Sequence, residues 1–215
     1  MIGSLFGLGA PPLDDARWVI LDVETSGLDP SRDRLLAIAA LALRHRDGCF
    51  RAVPADSFEV VLRHDAAAVD KANILLHGIG VGRQAAGVPP AEALTAFERW
   101  AGDSPLLGYH VAFDRAVIER AARLALGRAL RQAAAARWLD IAPLAAVGHP
   151  AVRAKALDDW LDHFGIPVAA RHEAAADTLA TAELFLRLAP ALRRSGIRSF
   201  AQARKTAAQA RWLSA

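Results

Sequence analysis

The sequence contains a single cysteine, Cys49, among its 215 residues. One cysteine excludes an internal disulfide framework and any zinc site built from several cysteines, and it fits a reduced, cytoplasmic setting. No window approaches 18 consecutive apolar residues, so the sequence predicts no membrane span. Residues 1–12 lack a basic segment and a sustained apolar run, which makes them a poor signal peptide.

The composition, in contrast, supplies a full hydrophobic core. Hydrophobic residues make up 53% of the chain and charged residues 23%, which is typical of a globular protein. The length suits one sizeable domain and is too short for two ordinary ones. A net charge of +3 permits a polyanionic partner, although many basic proteins bind no nucleic acid.

Hydrophobic patterning predicts one mixed α/β domain. Apolar runs predict strands at 18–23, 35–43 and 58–62, with an antiparallel start to the sheet, and shorter strands at 106–109 and 138–139. Helical spacing predicts helices after Pro90, over 114–126, through 157–164 up to a glycine cap at Gly165, over 173–188 and over 197–213. We expect a flexible lead-in at 1–16, the main domain at 17–190 and a basic C-terminal helix at 191–215.

The first chemical signal is Asp22-Val23-Glu24 at the end of the first apolar strand. Alternation along a strand would direct Asp22 and Glu24 to the same side, where their charges repel. A cation between them would relieve that repulsion, and carboxylate oxygens suit magnesium or manganese. The alternative is that both acids are simply hydrated where the strand meets solvent.

Two further segments contain acids near predicted helix starts. Asp114 follows a short strand, where an aspartate commonly caps a helix. Asp177 lies in an alanine-rich stretch five residues after His172, and such an apolar stretch is a poor solvated face. Four carboxylates converging on one cleft would require about two divalent ions, the known arrangement for displacement at phosphorus. A nearby histidine is suited to accept a proton from water.

At these residues the sequence resembles the DEDDh 3′–5′ exonucleases of the ribonuclease H-like superfamily, above all the group of the epsilon proofreading subunit of bacterial DNA polymerase III. The resemblance covers roughly residues 18–189. Its motifs are LDVETSGLDPSRDRLLAIAALAL, LLHGI, GYHVAFD and HEAAADTLATAELFL. It implies a ribonuclease H-like α/β fold, with a mixed five-stranded sheet and helices on both faces, and it makes 17–190 the exonuclease domain.

The resemblance also implies roles for individual residues. Asp22, Glu24, Asp114 and Asp177 would bind two divalent ions, Mg²⁺ or Mn²⁺, and His172 would be the general base. Substrate contacts would come from Thr25, Leu28, His77, His110 and Phe113. For Leu28, His77 and Phe113, plain core packing is an equally good interpretation.

The chain departs from the family pattern at Tyr109 and His110, where histidine and asparagine are usual. His110 would donate the same hydrogen bond to the scissile phosphate or would shift the pH profile. The expected partner is a nucleic acid 3′ end, and single-stranded DNA is preferred to RNA. The alternatives are an RNA-trimming enzyme of the RNase T or oligoribonuclease kind, and a non-catalytic module that binds a DNA polymerase subunit. For that second alternative, a basic tail with Arg204, Lys205 and Arg211 would dock, or would simply form a solvated helix face.

Overall fold

The computed structural model describes residues 16–64, 78–168 and 171–213, with side chains described up to residue 210. Five strands form one sheet in the order β3-β2-β1-β4-β5. Their bounds are β1 Arg17–Thr25, β2 Leu35–Arg46, β3 Cys49–Val61, β4 Leu106–Gly108 and β5 Trp138–Asp140. The first three strands pair antiparallel, whereas β4 lies parallel to β1 and β5 parallel to β4. The predicted mixed sheet and its antiparallel start are confirmed.

Seven α-helices occur in the described part of the chain. They are α1 Val81–Ala85, α2 Pro90–Ala101, α3 Ala112–Leu126, α4 Ile141–Gly148, α5 Leu157–Phe164, α6 Ala174–Arg194 and α7 Phe200–Leu213. The predicted helices are present, and α5 ends at Gly165 in the left-handed conformation, with φ of 61°. Helix α6 continues beyond its predicted end through Pro190. None of the described helices is long and apolar enough to span a membrane.

The sheet separates two apolar layers, because alternate residues of β1 point to opposite faces. Trp18 and Ile20 face α4, α5, α6 and α7, whereas Val19 and Leu21 face α2 and α3. Helices therefore cover both faces, as predicted. Ala203 of α7 belongs to the first of these core clusters. The division of the chain at residues 16 and 190 stays a prediction.

The strand order brings the carboxyl ends of β1, β4 and β5 to one edge of the sheet. Gly108 ends β4 in a tight place, because a Cβ there would lie 2.9 Å from Val111 Cγ2 and 3.2 Å from the Leu21 carbonyl oxygen. Glycine thus lets the chain turn from β4 into α3 directly against β1. This edge collects the polar residues that the motifs predicted.

Candidate active site

Asp22 and Glu24 continue the face of β1 that is covered by α6. They occupy the even positions that follow Trp18 and Ile20 on the strand, and both are half-buried. On β2 their partners in register are Ala39 for Asp22 and Ala37 for Glu24. Alanine side chains are short, so the sheet leaves room beside the two carboxylates for a group from the covering helix.

That group is Asp177, in the first turn of α6. The next residue, Thr178, donates a hydrogen bond from its hydroxyl to the Ala39 carbonyl oxygen over 3.1 Å. Since Ala39 pairs with Asp22, this bond fixes the start of α6 against the strand position of Asp22. The helix therefore delivers a carboxylate from residue 177 to two carboxylates on β1.

The three carboxylates lie close enough to share a cation. Asp22, Glu24 and Asp177 each offer an oxygen within 4.8 Å of the others. Burial raises the pKa of Glu24 to about 8, and the charges of Asp177 and Asp114 add to the effect. Burial also raises the pKa of Asp22 well above its usual range. The charges of Asp114, Glu24 and Asp177 raise it further. Such a set of oxygens is strained when all are ionised, and it fits a hard divalent cation.

Asp114 lies at the same edge but outside this group of three. It belongs to the first turn of α3 and is only 6% exposed. Burial raises its pKa to about 7, and the charge of Asp140 adds to that rise. Hydrogen bonds from the backbone N–H groups of Asp114 and Val23 lower the pKa in part. Asp114 in turn raises the pKa of both Asp22 and Glu24. The structure thus brings all four predicted acids to one site, with Asp114 as the outlying member.

Asp140, at the end of β5, is a site residue that the sequence did not predict. One of its carboxylate oxygens accepts hydrogen bonds from the backbone N–H groups of Ala142 and His110, both over 3.0 Å. It therefore caps α4 and also holds the loop between β4 and α3. The sequence contains a signal for Asp140, because an aspartate that follows the apolar pair Trp138-Leu139 and precedes a helix is typical of a helix cap.

His110 and His172 both have left-handed backbone conformations. Their φ angles are 56° and 62°, and Asp47 is the other non-glycine residue with positive φ in the described part of the chain. Each histidine donates its backbone N–H to a buried aspartate, His110 to Asp140 and His172 to Asp177, the latter over 3.1 Å. Both side chains are exposed. Non-glycine residues in the left-handed region are often found at functional sites.

Arg171 places a positive charge against the acidic group. Its guanidinium donates to Asp177 and, over 2.5 Å, to Asp158. Its charge lowers the pKa of Asp22 and Glu24. This effect is smaller than those of burial and of the neighbouring carboxylates, which raise the pKa of both groups. The acids therefore already attract one cationic group from the chain itself. This contact was not predicted from the sequence.

The loop that follows β1 contains Leu28. Asp33 closes the loop, because its carboxylate accepts from the Ser26 hydroxyl over 2.9 Å and from the Asp29 backbone N–H over 2.8 Å. Leu28 is 90% exposed, so it does not belong to the core. The Thr25 hydroxyl donates to the Gly27 carbonyl over 2.6 Å, which ties it to the turn.

The remaining predicted substrate contacts differ in placement. Phe113 is partly buried and packs against the core cluster on the α3 face of the sheet. His77 lies outside the described residues. The roles of these residues in substrate binding stay predictions.

Solved structures with the same arrangement define the class of fold. Escherichia coli exonuclease I in complex with a dT13 oligonucleotide matches with a TM-score of 0.68 and 18% identity, over 83% of this chain and 42% of that one. Exonuclease I from Methylocaldum szegediense matches with a TM-score of 0.64 and 21% identity, over 83% and 40% of the two chains. The likeness establishes a ribonuclease H-like α/β fold.

The sequence identifies the family. Residues 19–185 match the model of the RNase T family, described as an exonuclease, and the chain belongs to that family. A DNA polymerase III subunit epsilon-like protein of Rhodobacter capsulatus is 32% identical over 201 residues, which are 92% of this chain and 27% of that protein. A PolC-type DNA polymerase III of Staphylococcus epidermidis is 24% identical, over 90% of this chain and 13% of that protein. The chain thus spans about a quarter or less of these relatives.

Proposed function

We propose that this chain is a metal-dependent 3′–5′ exonuclease that hydrolyses phosphodiester bonds at the 3′ end of DNA, in proofreading or repair in the cytoplasm. The observation that carries the proposal is the group formed by Asp22, Glu24 and Asp177, whose oxygens lie within 4.8 Å of one another. The membership of the chain in an exonuclease family supports the reaction class.

The acids would hold two divalent ions, Mg²⁺ or Mn²⁺. Bound ions of this kind lower the pKa of water and neutralise charge that develops at phosphorus. Asp22, Glu24 and Asp177 would provide the shared ligands, and Asp114 would act at the outer position. Burial raises the pKa of Asp22, Glu24 and Asp114, so binding of the ions would be accompanied by release of protons.

His172 would be the general base. Its side chain is exposed, and its backbone N–H donates to Asp177, so the backbone of residue 172 lies next to one of the three carboxylates. A neutral imidazole there would accept the proton of the attacking water. His110 would contact the phosphate, and the exposed Leu28 would contact the terminal base.

We favour DNA as the substrate because the names of the related proteins refer to DNA or to a DNA oligonucleotide. Exonuclease I of E. coli is described with a dT13 oligonucleotide, and the sequence relatives are named as DNA polymerase III proteins. An RNA-trimming role would use the same carboxylates. The same relatives favour a DNA polymerase subunit as a partner, and co-purification of that subunit with the full chain would support the association.

A substrate panel tests the proposal. Single-stranded DNA, duplex DNA with a mismatched 3′ end, and RNA should be incubated with the protein in Mg²⁺ or Mn²⁺, with and without EDTA. We expect cleavage of DNA that stops in EDTA and is lost in Asp22→Ala, while the circular dichroism spectrum is unchanged. Much faster degradation of RNA would contradict the DNA assignment, and full activity of Asp22→Ala would contradict the site.

A further inference from the structure

A cavity of about 510 Å³ opens at the end of the molecule remote from the acidic edge. It lies between the turn that joins β2 to β3, the end of α6 and the start of α7. Trp18 lines it, four residues before Asp22 on β1, which corresponds to about 13 Å along a strand. The cavity is therefore distinct from the candidate active site, and its volume is in the range of ligand-binding clefts.

The floor of the cavity is apolar. Trp18, Phe50 and Phe185 form a ring cluster, with centroids 4.7 Å apart for Trp18 and Phe50 and 5.1 Å apart for Phe50 and Phe185. Trp18 and Phe185 are only 4% and 2% exposed, so their ring faces are taken by one another and by the core. Pro190 and Ile197 extend this apolar surface. Such a floor suits an aliphatic or aromatic side chain better than a stacked base, which requires open ring faces.

The rim of the cavity is basic. Arg193, Arg194 and Arg198 line it, and none of the lining residues that the structure describes is acidic. The Arg193 guanidinium donates to the Gly48 carbonyl. Neither Arg194 nor Arg198 makes an ion pair with the residues that the structure describes. The sequence from residue 184 to 215 contains seven basic residues and no acidic one, so this positive charge is not balanced within the segment.

We propose that this cavity docks an acidic segment of a partner protein. An aliphatic or aromatic side chain of that segment occupies the apolar floor, and flanking carboxylates pair with Arg194 and Arg198. An apolar anchor in a pocket with charged pairs at its rim is the usual division of roles in a protein interface. The proposal does not depend on the exonuclease site.

Cys49 provides a site-specific test, because it is exposed, lines the cavity and is the single cysteine of the sequence. The probes are short peptides with Leu, Phe or Trp, singly or in pairs, between aspartates, and the same peptides with lysines in place of the aspartates. The rate of Cys49 alkylation by a maleimide is measured against peptide concentration. We expect the aspartate peptides to slow alkylation in a saturable manner and the lysine peptides to leave the rate unchanged.

Charge-reversal variants identify the rim. Arg194→Glu combined with Arg198→Glu should weaken protection by the aspartate peptides by about tenfold or more. Arg99→Glu, at an exposed site on α2, should leave protection unchanged. The circular dichroism spectrum and the unfolding temperature should be equal in all these variants, which verifies that they are folded.

Three results would overturn the proposal. The first is equal alkylation with aspartate and lysine peptides. The second is protection by a single-stranded oligonucleotide but not by the aspartate peptides, which would assign the surface to nucleic acid. The third is protection only in a variant that lacks residues 1–15, which would assign the cavity to the chain's own amino-terminal residues.

Discussion

At the scale of single residues, the site places acids where their charges are least stable. Asp22 and Glu24 lie on one side of β1 and face Asp177, so burial and mutual repulsion both favour the protonated forms. Ordinary folding stability would favour apolar residues at such positions. The conflict is resolved if a divalent cation binds between the carboxylates, and this has consequences for stability that can be measured.

The free energy of unfolding of the metal-free protein should fall as the pH rises. Glu24 has an ordinary pKa of 4.5 and a folded-state pKa of about 8. As the pH rises, Glu24 ionises in the unfolded chain before it ionises in the folded protein. Its contribution to the free energy of unfolding is therefore fully present below about pH 4.5 and is lost as the pH rises through about 8. Thermal unfolding in EDTA across this range is the measurement, and each 1 kcal/mol lost lowers Tm by about 2–4 °C.

Glu24→Gln should flatten this decline, whereas Glu92→Gln, at an exposed site on α2, should not. Mn²⁺ should restore stability at the alkaline end for the parent protein and much less for Glu24→Gln. A metal-free protein whose stability is constant or increases from pH 4.5 to 8 would contradict this view of the acids.

Replacement of His172 should slow cleavage without removing metal binding. We expect His172→Ala to lower kcat by roughly 10²–10⁴-fold, the usual loss for a general base. His172→Asn is the matched variant, because asparagine tolerates the left-handed conformation that residue 172 adopts. Both variants should lose activity to a similar extent and bind Mn²⁺ with similar affinity in a calorimetric titration. A change in kcat of less than a few-fold would exclude His172 as the base.

Sequence reasoning at this scale identified the acids of β1, α3 and α6 but neglected Asp140 and Arg171. Asp22 and Glu24 stand out because charge at the end of an apolar strand is unusual. Asp140 resembles an ordinary helix cap, and its second bond, to the backbone of His110, depends on the parallel pairing of β4 with β5. The contact of Arg171 with Asp158 and Asp177 depends on how α5 and α6 pack, which no local pattern encodes.

At the scale of elements, the start of α6 determines whether the carboxylates meet. The Thr178 hydroxyl bonds to the carbonyl of Ala39, the β2 partner of Asp22. This buried bond is a specific tie between a helix and a strand that are 139 residues apart in sequence. Small displacements of metal ligands weaken binding strongly.

Thr178→Val should therefore loosen the metal site. The substitution keeps the shape of the side chain and removes the hydroxyl, so the buried hydrogen bond to the Ala39 carbonyl is lost at a cost of about 0.5–1.5 kcal/mol. We expect a lower Tm and weaker Mn²⁺ binding. Thr95→Val is the control, because the Thr95 hydroxyl also donates to a backbone carbonyl, that of Ala91, but on α2. Equal Mn²⁺ affinity in both variants would show that the bond to Ala39 does not position Asp177.

The elements that patterning predicted least well are those with mixed exposure. Strand β3 begins at Cys49 and not at residue 58, because it is the edge strand and its polar residues interrupt the apolar run. Helices α1 and α4 were not predicted: α1 has only five residues, and α4 is apolar on most sides. The long helices were predicted because their periodicity is strong, and the central strands because their apolar runs are continuous.

At the scale of the whole molecule, the sheet order converts three sequence segments into one site. Antiparallel β1 and β2 and parallel β4 and β5 place the end of β1, the start of α3 and the end of β5 at one edge. The opposite end has the basic cavity, about 13 Å from Asp22 along β1. A polynucleotide end and a protein partner could therefore be bound at the same time.

The most direct test of the exonuclease account is the digestion of single-stranded DNA that has a 5′ label, in Mn²⁺, by the parent protein and by Asp22→Asn. The account predicts a ladder of labelled products that shorten stepwise from the 3′ end, which is absent for Asp22→Asn although that variant unfolds at the same or a higher temperature in EDTA. Immediate release of the label as a mononucleotide, or the same ladder from Asp22→Asn, would contradict it.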